Sequence, residues 1–197
     1  MKSLKLFVLL ITVSMLSFSC RNDDDNQNSS SNKLIFGDTE YQLRAGIIED
    51  YGAYSEGIYN FDIVLLNSEI NNVDGEFQPV NETFSGVYFE LFTDNSENLA
   101  EGTYTFGDNI DVGTYVYAEV FINTTVDNYS AIDITSGTFT VLDNGTTFEF
   151  IFEGTVDGGA SFSGYYKGSL SSYDSQVVNG DKLFSSETKA KSKAFKN

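Results

Sequence analysis

The chain has 197 residues, 29 of them acidic and 11 basic, with no histidine, no tryptophan and one cysteine. A formal charge of −18 repels phosphate backbones and gains nothing from counterion release, which excludes nucleic acid as a partner. Without histidine there is no Ser–His–Asp or Cys–His nucleophilic site, few routes to a zinc site, and no imidazole general base.

The first 19 residues read as an export signal. Lys2 and Lys5 precede an apolar run, Leu6 to Leu16, which is shorter than the roughly 20 residues a spanning helix needs. A basic start, a short apolar core and small residues before a processing point make a signal peptide. The run ends in "LSFSC", with small Ser19 just before Cys20, and is followed by "RNDDDNQNSS". "LSFSC" resembles the lipobox of bacterial lipoproteins, and the acidic stretch resembles the export signal of surface lipoproteins of the Bacteroidetes. The resemblance implies that Cys20 is lipidated and that cleavage falls just before it. It further implies that Asp23, Asp24 and Asp25 direct the protein to the outer face of the outer membrane. The membrane would then be a partner through an N-terminal acyl anchor, each buried methylene adding about 0.8 kcal/mol of affinity. Residues 20–33 contain no apolar run and read as a disordered tether. An anchored cysteine leaves no thiol for a disulfide, a redox motif or a nucleophile.

Residues 34–180 read as one domain made of strands. "TEYQLRAGII" alternates Tyr41, Leu43, Ala45 and Ile47 against Gln42 and Arg44, and "GIYNFDIVLL" sets Tyr59, Phe61, Ile63 and Leu65 on one face. Further runs follow: "TFSGVYFELF", "GTYTF", "GTYVYAEVFI", "SGTFTVL", "TTFEFIFEGT" and "ASFSGYYKGSL". Period-two patterning rich in Tyr, Phe, Val, Ile and Thr, with Gly, Asn and Asp between runs, is the strand signature. The expected fold is all-β, a single antiparallel β-sandwich or an up-and-down, calycin-like barrel of about 8–10 strands. In "VLDNGTTF", Asp143-Asn144-Gly145 predicts a hairpin built on positive φ, and "VDGGAS" predicts a second. A C-terminal meander is therefore expected from about Ser136 to Leu170. Its block "FEFIFEGTVDGGASFSGYYKGSL" resembles the C-terminal meanders of β-rich lipoproteins of the same bacteria. "GTYTF", "GTYVY" and "GTFTV" recur as strand starts, where glycine leaves a loop.

Once Lys2 and Lys5 leave with the signal, 9 basic residues face 29 acidic ones, a net charge of −20. Between Leu34 and Gly180 only Arg44 and Lys167 are basic. Residues 181–197 reverse the sign with Lys182, Lys189, Lys191, Lys193 and Lys196, a basic tail that can stay solvated, lie on the acidic domain or touch lipopolysaccharide phosphates. Ser186 and Lys189 have a Ser-x-x-Lys spacing, but a lysine-rich terminus has nothing to desolvate the lysine into a base. Calcium candidates are Asp94 with Glu97 and Asp108 with Asp111. None stands in a spaced EF-hand loop, and Asp and Asn serve turns in their own right. No cofactor is expected.

Three functions stay open. The leading one is non-catalytic binding of a glycan or a small apolar molecule. Tyrosine supplies a stacking face and a hydroxyl, and "DYGAYSEGIY" and "SGYYKG" concentrate it in Tyr51, Tyr54, Tyr59, Tyr165 and Tyr166. An apolar ligand would need a cavity inside a closed barrel. The second is a structural part in adhesion or surface assembly, favoured by an exposed sheet edge or a donated strand. The third is a carboxylate glycoside hydrolase, for which Glu149 and Glu153 share a strand face. The plainer account of that face is a polar row opposite Phe148, Phe150 and Phe152.

Overall fold

The computed structural model describes residues 31–73 and 75–174. The signal, Cys20, Asp23 to Asp25, most of the tether and the basic tail lie outside the described residues. Among those described there is no helix, and 13 strands follow one another. They are β1 (Lys33–Phe36), β2 (Thr39–Gln42), β3 (Ala45–Ser55), β4 (Ile58–Leu66), β5 (Ile70–Val73), β6 (Glu76–Pro79) and β7 (Phe84–Thr93). Then come β8 (Gly102–Phe106), β9 (Thr114–Thr124), β10 (Ile132–Asn144), β11 (Phe148–Val156), β12 (Ser161–Gly168) and β13 (Ser171–Asp174).

Eleven strands make one curled sheet in the order β13-β3-β4-β7-β9-β8-β10-β11-β12-β1-β2, and β5 and β6 form a separate hairpin. The two ends of this order are tied by the chain itself. β2 runs into β3 across Leu43 and Arg44, where Leu43 N–H donates to Asn32 O and Arg44 N–H to Leu66 O. One extended stretch thus pairs with β1 in its first half and β4 in its second. Likewise β12 pairs with β1, and its continuation β13 pairs with β3. The result is a barrel-like curl.

The all-β class agrees with the sequence, with two refinements. The ladder is mixed, because β13 lies parallel to β3 and β8 parallel to β9. Strands also outnumber the expectation, since one long run breaks at Leu43–Arg44 and four-residue strands (β5, β6, β13) have too few positions for a period to show. The C-terminal meander β10–β11–β12 is continuous and antiparallel. Its first hairpin forms without positive φ at Asn144 or Gly145. Asn144 joins the ladder opposite Phe148, and Gly145 N–H bonds to Asp143 Oδ1 at 2.8 Å. The second hairpin does use left-handed backbone, at Gly158 and Gly159, both with φ 82°. "GTYTF" and "GTYVY" open β8 and β9, whereas Gly137 of "GTFTV" sits within β10, paired with Gly154 just after a bulge between Ile134 and Ser136.

Inside the curl the apolar residues of every long strand meet. Phe89 packs on Phe139, Tyr115, Phe152 and Phe162 with ring centroids 4.7, 5.4, 5.7 and 6.4 Å apart. Gly164 makes room for this cluster: a Cβ there would stand 2.2 Å from the Phe152 ring. A second, smaller cluster lies on the outer side of β3, β4, β7 and β9. It joins Ile47, Val64, Leu66, Phe84, Tyr88 and Phe121, and Ile70 and Phe77 of the β5–β6 hairpin pack over it together with Val126, Tyr129 and Ala131.

Candidate functional site

Beside that second cluster, the same outer face turns polar. Register sets Glu49 of β3 opposite Asp62 of β4, and Asp62 opposite Glu90 of β7. Across the next pairing Glu90 faces Tyr117, and Tyr88 faces Glu119 of β9. Four carboxylates from four strands thus lie side by side, and all are buried: Glu49 is 1%, Asp62 4%, Glu90 6% and Glu119 4% exposed.

Tyrosines hold three of them. Tyr51 hydroxyl donates to Glu49 Oε2 at 2.5 Å, Tyr88 to Asp62 Oδ2 at 2.6 Å, and Tyr117 to Glu119 Oε2 at 2.6 Å. Tyr129 donates to the other oxygen of Glu119, and Asn60 Nδ2 donates to Asp62 Oδ1 at 3.2 Å. A bulge aims Tyr51. Asp50 pairs with Phe61 and Gly52 with Asn60, leaving Tyr51 as the extra residue, and Gly52 supplies the positive φ of 71°. Such insertions re-aim a side chain locally. Burial, followed by the nearby carboxylate charges, pushes the hydroxyls of Tyr51, Tyr88 and Tyr129 well above the ordinary tyrosine value. For Tyr117, burial and the bond to Glu119 do the same. These hydroxyls therefore remain neutral donors to the carboxylates beside them.

A second feature lies on the outer side of β10, β11, β12 and β1. Register lines up Thr138, Glu153, Ser163 and Ile35 across the four strands. Together with Thr155 and Ser161 they line an open groove of about 410 Å³. Its lining combines four hydroxyls and the Glu153 carboxylate with Ile35, Phe162 and the backbone of Gly37, Gly137 and Gly154.

The five tyrosines picked from the sequence do not share a surface. Tyr51 belongs to the carboxylate row. Tyr54 is 37% exposed and meets Phe92 edge-on at 5.3 Å. Tyr59 packs against the inner core. Tyr165 donates to Glu149 Oε1 at 2.9 Å, while Tyr166 is buried, donates to Ser169 O, and has its hydroxyl raised to about 12 by burial and then the charge of Glu69. Asp94, Glu97, Asp108 and Asp111 are all exposed in loops. Two of the loops are closed by Asx-type bonds, from Glu97 N–H to Asn95 and from Val112 N–H to Asp111. Among the described residues no three of His, Cys, Asp and Glu gather to hold a metal ion.

Glu149 and Glu153 do share the outer face of β11, with Ile151 between them, opposite the buried Phe150 and Phe152. Glu149 Oε2 accepts from Lys167 Nζ at 2.8 Å. That bond, then the one from Tyr165, holds its carboxyl below the usual range. A hydrolytic pair needs one carboxyl held above it.

Sequence reasoning missed the carboxylate row, although a signal was present. "EDY", "YFE" and "YAE" place acid and tyrosine two apart in β3, β7 and β9, and two apart is one face of a strand. No protein-family model, curated protein or solved structure matches the chain.

Proposed function

We propose that this chain is an outer-membrane lipoprotein, anchored through Cys20 and facing the cell exterior, whose β-domain binds a glycan without catalysing a reaction. The anchor rests on "LSFSC" and the aspartates behind it. The binding reading rests on the groove of Thr138, Glu153, Thr155, Ser161, Ser163 and Ile35. Hydroxyls and a carboxylate can exchange hydrogen bonds with sugar hydroxyls, and Ile35 offers an apolar contact for a ring face. Few, convergent polar groups on a rigid scaffold are what small-ligand sites use. A small apolar ligand finds less support, because the phenylalanines inside the curl pack on one another.

The test is the melting midpoint of the full chain across a panel of oligosaccharides. A ligand at about 100 times its dissociation constant stabilises by roughly 2.7 kcal/mol. In a domain of this size each kcal/mol moves the midpoint by roughly 2–4 °C. One sugar class is expected to raise it, and Glu153→Ala to abolish the rise. A flat panel shifts the weight to adhesion or assembly. Separately, Cys20→Ala is expected to remove lipid labelling and membrane retention; a variant retained as before would remove the anchor.

A further inference from the structure

Glu149 and Glu153 share the outer face of β11, but their surroundings differ. Opposite Glu149 stands Lys167, whose ammonium reaches Oε2 at 2.8 Å, and Tyr165 donates to Oε1 at 2.9 Å. Opposite Glu153 stand Thr138 on one side and Ser163 on the other. Both side chains are short, and the space over Glu153 belongs to the groove. The ion pairs among the described residues are Lys33 with Glu40 and Lys167 with Glu149. Neither includes Glu153, which is exposed.

The groove is otherwise neutral. Thr138, Thr155, Ser161 and Ser163 bring hydroxyls, and Ile35 an aliphatic side chain. One pleat along β11 from Glu153, about 7 Å by strand geometry, Ile151 is 45% exposed on the same face. Its cross-strand neighbour Tyr165 gives its hydroxyl to Glu149. A chain of net charge −18 also raises the local concentration of cations and lowers that of anions.

We propose that the groove selects an amino sugar, whose protonated amine takes over Glu153 the place that Lys167 Nζ takes over Glu149. The proposal rests on the glycan reading above and narrows it. Sugar hydroxyls would exchange hydrogen bonds with Thr138, Thr155 and Ser163. The apolar face of one ring would lie on Ile35, and a neighbouring ring would reach Ile151. Uronic and sulfated sugars are disfavoured, because they set like charge against Glu153.

Calorimetric titration of the full chain with a β-linked glucosamine tetramer, its N-acetylated counterpart and a galacturonic acid tetramer tests this. The glucosamine tetramer is expected to bind about five-fold more tightly than the N-acetylated one, near the upper end of what an exposed ion pair gives. The advantage should shrink at about 1 M salt, where the screening length falls to about 3 Å, and disappear in Glu153→Gln. Asp108→Asn removes the same charge from an exposed loop and should leave the advantage intact. Equal loss in the two variants would mean attraction to the whole acidic surface and overturn the proposal. So would equal affinity for the glucosamine and N-acetylated tetramers, or tighter binding of the uronic one; either result leaves the glycan reading standing. Binding of none of the three overturns the proposal, and the oligosaccharide panel then decides the glycan reading on its own.

Discussion

The two halves of the curled sheet solve burial differently. In β4 and β7 the residues from Asn60 to Leu66 and all ten from Phe84 to Thr93 are buried, on both faces. In β11, Phe150 and Phe152 are buried while Ile151 and Glu153 between and beyond them are exposed. One half is an interior layer; the other is a wall with water on one side. The same tyrosine–carboxylate bond occurs in both, Tyr88 with Asp62 in the first and Tyr165 with Glu149 in the second. Chemistry is shared and solvent is not, so the worth of the bond should follow its surroundings.

The largest expected effect is at the point where both halves meet. Phe89 is fully buried and touches rings from β9, β10, β11 and β12. Phe89→Ala should cost about 3–5 kcal/mol, read from denaturant unfolding; a loss near that of a surface substitution would mean the halves do not share a core. Next is Tyr88→Phe, which strips Asp62 of a buried donor. A hydrogen bond to a charged group is worth about 1.5–3 kcal/mol, and this variant should lose that much.

Raising the pH attacks the same half without a mutation. Folding holds the hydroxyls of Tyr51, Tyr88, Tyr117 and Tyr129 above their ordinary value, which is about 10. The folded chain then keeps protons that the unfolded chain releases. This contribution is complete below about pH 10 and is lost as the pH climbs through the raised values. The melting midpoint should therefore fall above about pH 10, in step with tyrosinate absorbance; a flat midpoint there would show that the four hydroxyls titrate alike in both states. The smallest effect is at Tyr165→Phe, on the wetted wall, whose midpoint should stay close to that of the parent. Equal losses at Tyr88 and Tyr165 would erase the contrast.

The wall was the more legible half. "FEFIFEG" alternates because one side of β11 faces water, and the turn chemistry of "DNG" and "DGG" marked both ends of that strand, even though the first turn uses an Asx bond in place of positive φ. "FDIVLL" and "GVYFELF" offered one apolar face to period-two reading, and that face is the inner one. The apolar end of their other face is covered by the β5–β6 hairpin, whose "INNV" and "EFQP" carry too few apolar positions to announce a covering role. The two parallel pairings were illegible for a different reason. They depend on where the curl brings distant strands, and no local pattern encodes that. The groove was illegible likewise, since Thr138, Glu153, Ser163 and Ile35 become neighbours only through register.

The closure of the sheet also sets an order of events. Lys33 pairs with Tyr165 and Ile47 with Ser171, 132 and 124 positions apart. The curl cannot complete until the end of β13 has been made, however early β3, β4 and β7 come together. Folds dominated by such distant pairings form in about milliseconds to seconds, far behind local ones. A nascent chain that lacks its closing strands is therefore slow to become a compact body. The strand that completes the curl is in this sense also its timer.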